Sequence, residues 1–187
     1  PVEEVRRFAI AQELSPGRGP ARIVPLVQDG RRLPIDDDSF SMAYSVSVLE
    51  HIPGNGDSAT IREMVRTTVG GGRIVLTLPF SDEYYETWVD RSVYEREKVE
   101  DQAVFFERHY DYAALKSRII DPSGCEVIDI QGYRERPISV EDFLSRIGSG
   151  RMLLSPIEAF LASICLKPID LCTGRADAVF VTLQVPC

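Results

Sequence analysis

The stretch QDGRRLPIDDDSFSMAYSVSVLEHI, residues Gln28 to Ile52, decides how this chain is read. It opens on an Asp-Gly turn, passes Leu33-Pro34-Ile35 and three consecutive acids, and enters the apolar run Phe40 to Val48. It leaves that run on Glu50-His51. An apolar run bounded by turn residues on one side and a charged pair on the other reads as a buried strand with chemistry at its exit. Working outward, Ser58 to Thr68 carries Ile61, Met64, Val65 and Val69 at helical spacing. Gly70-Gly71-Gly72 then punctuates the chain before Ile74-Val75-Leu76-Thr77-Leu78. That run does not alternate, as expected of a strand buried on both faces of a parallel sheet. Strand, helix and strand in this order make a βαβ unit.

The rest of the chain continues the pattern. Val2 to Leu14 reads as an amphipathic helix and Ala21 to Val27 as a short strand, with a Pro-Gly breaker cluster between them. Residues 81–108 are polar and aromatic and read as an insertion of helices and loops. Tyr112 to Ile120 reads as a helix, closed by Pro122-Ser123-Gly124. Cys125 to Gln131 and Ala178 to Val185 read as strands, and Val140 to Ile147 and Pro156 to Leu166 as helices. The expected fold is α/β: a Rossmann-like, mostly parallel sheet with flanking helices, its first strands missing from view. The 187 residues are expected to form a single domain, with a helical and aromatic insertion over about 81–120 and a helical segment over about 139–170.

Composition narrows the function. The apolar share is 44%, enough for a core, and the formal charge is −8. A net acidic surface repels phosphate backbones, so no nucleic acid is expected as a partner. Four cysteines without a C-x-x-C pair, and two distant histidines, give a metal site little to be built from, so none is expected. The thiols read as reduced and cytoplasmic, with a Cys165–Cys172 bridge as the less favoured alternative. Met152 to Leu166 is too short and too interrupted to span a bilayer, so no stable membrane insertion is expected. That segment is first a core helix, with an apolar lid or a homodimer face as alternatives.

Several motifs together resemble class I S-adenosylmethionine-dependent methyltransferases of the type 11 group. They are Asp29-Gly30-x-x-Leu33-Pro34-Ile35-x-Asp37-x-Ser39-Phe40, then Ser45-x-x-Val48-Leu49-Glu50-His51, then Glu63-x-x-Arg66 before the glycine triplet. Arg108-x-Tyr110-Asp111-x-x-Ala114-Leu115 and Pro122-Ser123-Gly124-x-Glu126-Val127 add to the match. Two departures stand out. The family's glycine-rich cofactor loop and the ribose-binding acid after it have no counterpart, and Ser41 stands where the family commonly has Asp. The chain reads as starting at the helix that follows the family's second strand.

The resemblance implies S-adenosylmethionine as cofactor, S-adenosylhomocysteine as its product, and a small-molecule acceptor. It implies cofactor contacts at Asp29, Gly30, Arg31, Leu33, Ser45, Val46 and Ser47. For Asp29 the role is accepting from the adenine amino group, and the competing reading is a plain turn residue. For His51 the role is general base or positioning group, and the competing reading is a histidine that orders its loop. Tyr84, Tyr85, Trp88, Phe106, His109 and Tyr110 are candidates for the acceptor pocket, or for an aromatic mini-core beneath the insertion. Because a sulfonium already activates its methyl group, such a protein chiefly aligns the acceptor, and no fixed triad is expected. The alternative function is a degenerate methyltransferase-like protein, a pseudoenzyme or partner subunit.

Overall fold

The computed structural model describes residues 26–89, 103–135, 166–169, 171 and 175–187. The expected elements at Val2–Leu14, at Val140–Ile147 and over most of Ala21–Val27 and Pro156–Leu166 lie outside them, as do Cys165 and Cys172. In chain order the described elements are β1 (Phe40–Val46), a 3-10 turn (Leu49–His51), α1 (Gly56–Thr67), β2 (Thr68–Pro79), β3 (Tyr85–Val89) and β4 (Val104–His109). The helical segment α2 follows, opening at Tyr112–Leu115, widening to a π-helix over Lys116–Ile120 and closing at Asp121–Ser123. Then come β5 (Glu126–Glu135), β6 (Leu166–Ile169) and β7 (Ala178–Gln184).

Five strands form one sheet in the order β1-β2-β7-β5-β6. β1 and β2 are parallel, while β7 runs antiparallel to both β2 and β5, and β6 antiparallel to β5. Three of the five strands therefore point one way, and the sheet is mixed because β7 slots in reversed between β2 and β5. The expected α/β architecture stands.

The core lies between the sheet and its helices. Ile74, Leu76 and Leu78 of β2 and Val179, Val181 and Leu183 of β7 are buried, and pack with Ile61 and Met64 of α1 and Leu115 and Ile119 of α2. Val75 and Thr77, on the other face of β2, are half-buried. α1 ends where Thr67 and Thr68 turn their hydroxyls back onto the carbonyls of Glu63 and Met64 at 2.9 and 2.7 Å, satisfying acceptors that a helix terminus leaves open. α2 begins where the Asp111 carboxylate accepts the Ala114 amide at 2.7 Å. It ends at Gly124, whose φ of 61° lies in the left-handed region that favours glycine.

Two expectations are corrected. The glycine triplet is not a loop before the strand but lies inside β2. Gly71 donates to Val185 O and Val185 donates to Gly72 O, both at 2.9 Å, so the C-terminal tail holds the triplet in the ladder. The aromatic stretch, expected as helices and loops, forms the antiparallel pair β3–β4. Its alternating aromatic and charged residues favour a two-sided strand. Among the described residues β1 pairs on one side only, and Met42, Tyr44 and Val46 stand exposed on it. Also among the described residues, no helix is long and apolar enough to cross a membrane.

Candidate functional site

β1 and β2 end side by side, and in such sheets ligands settle outside the carboxyl ends of the strands. Leaving β1, Ser47 adopts φ 49° and donates its amide to Thr77 Oγ1 at 3.1 Å. The chain then makes the 3-10 turn that carries Glu50 and His51, and β4 crosses beside it. His51 Nδ1 lies 2.8 Å from Phe106 O. A carbonyl can only accept, so Nδ1 carries the proton and Nε2 is the basic nitrogen of the neutral ring. Nε2 faces two carboxylates, Glu50 at 3.8 Å and Glu107 at 4.0 Å. The other oxygen of Glu107 reaches His109 Nε2 at 3.1 Å, and the His109 ring stacks on Tyr85 at 4.4 Å. One carboxylate thus stands between the only two histidines of the chain. Burial pushes the Glu50 carboxyl above its usual range, and the nearby Glu107 charge pushes the same way. Glu50 Oε2 is buried without a hydrogen-bond partner among the described residues.

A buried ionic network supports this turn. Asp57, at the start of α1, is fully buried. It meets Arg108 Nη1 at 3.3 Å, Arg118 Nε at 2.7 Å and the Tyr110 hydroxyl at 3.0 Å. Arg108, itself at 0% exposure, also donates to Ile52 O at 2.8 Å and Gly54 O at 3.0 Å. It therefore ties the backbone just past His51 to α1. Burial, then the Asp57 charge, holds the Tyr110 hydroxyl well above the usual phenol range.

On the far side of β1 lies a cavity of about 550 Å³ lined by residues including Leu33, Ser45, Val46, Leu49, Thr60 and Met64. It brings three of the expected cofactor residues together: Leu33, Ser45 and Val46. Two hydroxyls on its wall, Ser45 Oγ and Thr60 Oγ1, are buried and have no hydrogen-bond partner among the described residues. Orphaned buried hydroxyls are costly unless a ligand or water answers them. Gly30 packs on Thr60, where an added Cβ would meet Thr60 Cγ2 at 3.1 Å. A small polar ligand with an apolar body fits this wall. Asp29, Gly30, Arg31 and Ser47 do not line the cavity. The Asp29 carboxylate is engaged by the Arg31 side chain at 2.7 Å and by the Arg31 amide at 3.0 Å, which holds its pKa down at about 2. The loop between them is stapled to α1, with Glu63 accepting the Leu33 amide at 2.7 Å and Arg66 donating to Leu33 O, Ile35 O and Asp37.

The acceptor candidates divide. Tyr85, Phe106 and His109 gather near His51, the Phe106 ring standing edge-on to His51 at 5.3 Å. Tyr84 donates to Glu86 at 2.6 Å, and Trp88 lies exposed against Phe105. Tyr110 is buried in the ionic network. Sequence reasoning missed Asp57, Thr60 and Glu107. Asp57 and Thr60 sit on the first turns of a helix, where acids and hydroxyls are commonplace. The alternation Phe106-Glu107-Arg108-His109, read as a strand, would have put Glu107 and His109 on one face.

Comparisons with known proteins bear out the resemblance read from the sequence. Residues 4–76 match the family model described as a methyltransferase domain. No curated protein matches the chain. Among solved structures, an S-adenosylmethionine-dependent methyltransferase of Methanosarcina mazei superposes with a TM-score of 0.56 at 15% identity, covering 98% of this chain and 78% of that one. The [4+2]-cyclase SpnF gives 0.53 at 17% identity, over 99% of this chain and 62% of the cyclase. A protein of Pyrococcus horikoshii gives 0.52 at 8% identity, over 98% of this chain and 66% of that one. At such identities the likeness is one of fold. The family match over residues 4–76 points to methyl transfer in general.

Proposed function

We propose that the chain transfers a methyl group from S-adenosylmethionine to a small-molecule acceptor. The observation that carries this reading is the 550 Å³ cavity, where Leu33 and the unpartnered hydroxyls of Ser45 and Thr60 meet beside the family-matched turn at Gly30. When bound, the sulfonium supplies a methyl carbon already activated for displacement. In this reading Leu33 and Val46 pack on the apolar part of the donor, and the two hydroxyls take its polar edge. Asp29, Gly30, Arg31 and Ser47 contribute from the rim, the ionised Asp29 carboxylate keeping lone pairs for a donor beyond Arg31. His51 stands four residues past Ser47, on the acceptor side, with its basic nitrogen fixed. Tyr84, Tyr85, Trp88, Phe106, His109 and Tyr110 shape or support that side. The net charge of −8 argues for a small acceptor rather than nucleic acid, and Cys125 and Cys187, free among the described residues, fit a cytoplasmic setting.

Photo-crosslinking with methyl-labelled S-adenosylmethionine tests the reading. Label should map to residues 26–67 and be competed away by S-adenosylhomocysteine. Absence of competable label, or label confined to other segments, would overturn it.

The second reading, a methyltransferase-like protein without methyl transfer, is favoured by one observation. The outer edge of β1 is unpaired among the described residues. The fold also serves other chemistry, since one similar structure is a cyclase. Binding of S-adenosylhomocysteine without turnover on any acceptor class would favour this second reading.

A further inference from the structure

The geometry points to a protonated amine as the acceptor, bound between Glu50 and Glu107 and deprotonated by His51. This inference rests on the methyl-transfer reading and names its substrate class. Three observations carry it. First, His51 Nε2 faces Glu50 at 3.8 Å and Glu107 at 4.0 Å. These distances are too long for direct hydrogen bonds but leave two carboxylates converging on one point. Second, Glu50 Oε2 is buried with no partner, in a side chain only 1% exposed. A buried carboxylate beside a second carboxylate is unfavourable until a cation joins them. Among the described residues the nearby Arg108 makes no ion pair with Glu50: its Nη groups face Asp57, Ile52 O and Gly54 O, and its Nε lies toward Glu86 at 3.8 Å. Third, the walls are aromatic: Phe106 stands edge-on to His51, and Tyr85 stacks on His109. Carboxylates with aromatic walls recognise an ammonium group and its apolar stem.

The proton step balances without a further reactant. An ammonium N–H bond breaks, its electron pair stays on nitrogen, and the proton goes to His51 Nε2. Nδ1 already holds its own proton against Phe106 O, so the ring becomes an imidazolium facing the two carboxylates. From there Glu107 bridges to His109, whose side chain is 23% exposed, giving the proton a way to solvent. The freed lone pair would then form the new C–N bond to the donor's methyl carbon as the C–S bond breaks, its electron pair leaving on sulfur. A carboxylate acceptor would be repelled by the two carboxylates of this arrangement.

The chain has two histidines, so its imidazole NMR signals are assigned with His51→Gln and His109→Gln. Phenethylammonium, phenethyl alcohol and phenylpropionate are titrated in turn into the whole chain. Saturable movement of both imidazole signals is expected with the ammonium, and none with the alcohol or the carboxylate. Glu107→Gln should weaken the ammonium about tenfold, the scale of a half-buried charged hydrogen bond. Equal response to the alcohol, or unchanged affinity in a folded Glu107→Gln, would overturn the proposal. The contrast among the three probes stands on the unmutated protein. S-adenosylhomocysteine binding is measured separately, so failure of donor binding and failure of amine binding are told apart.

Discussion

Replacing Asp57 by alanine should be among the most damaging single changes in this chain. Among the described residues Asp57 is the fully buried carboxylate that meets Arg108, at 3.3 Å with both side chains at 0% exposure. Without it a guanidinium stays at zero exposure with carbonyl oxygens as its close partners, and Glu86 lies 3.8 Å from its Nε. Removing one partner of a buried ion pair costs about 3–5 kcal/mol, because the other charge is left uncompensated. Arg118 adds little, since at 22% exposure it can turn to water. Tyr110 adds about 1 kcal/mol for its lost acceptor. With a urea m-value of about 2 kcal/mol/M, the midpoint should fall by roughly 2–3 M. Asp57→Asn keeps the shape and should fall between the two proteins. The same variant frees Ile52 and Gly54 from α1, so backbone exchange past His51 should rise with it. Equilibrium urea unfolding measures the effect. A loss below about 1 kcal/mol in Asp57→Ala would refute the reasoning, for it would mean that the guanidinium reaches solvent.

Other outcomes follow from single contacts. The Arg66 guanidinium, then the Leu33 amide, hold Glu63 at a pKa of about 2, below its ordinary 4.5. Its contribution is therefore present above pH 4.5 and is lost as the pH falls toward 2, so Glu63→Gln should flatten acid unfolding across that window. Gly72→Ala would place a Cβ 2.7 Å from Val69 O and 2.9 Å from Ser41 O. Backbone cannot step aside cheaply, so a loss of about 1–3 kcal/mol is expected in thermal melts. Leu76→Ala, at 0% exposure beneath α1, should cost about 2–5 kcal/mol by the same assay.

How far the sequence carried these results depended on the range of the interaction. β1, α1 and the second half of β2 were legible because Ile61 with Met64, and Ile74 to Leu78, print their burial in local spacing. The clamp of Glu63 and Arg66 was visible as a motif, though its grip on Leu33 and Ile35 was not. β3 and β4 were misread because their pairing partner lies beyond a long intervening segment, and aromatic content alone does not choose strand over helix. The reversed β7 could not be told from a parallel strand, since both bury the same apolar residues. Leu33, Ser45 and Val46 were named through motif resemblance, and the fold brings them onto one cavity wall. Asp57, Thr60 and Glu107 were missed because their meaning comes from neighbours far away in sequence: Arg108, Gly30 and His51.

The most direct test of the account is a calorimetric titration of S-adenosylhomocysteine into the protein and into Thr60→Val. The Thr60 hydroxyl is buried with no partner, so in the free protein its replacement by a methyl group should stabilise by about 1 kcal/mol. With ligand the order reverses: the protein should bind with a Kd in the micromolar range, and Thr60→Val about five- to tenfold more weakly, as one lost hydrogen bond dictates. Absence of binding, or equal affinity in the two proteins, would contradict the claim that this cavity holds the methyl donor.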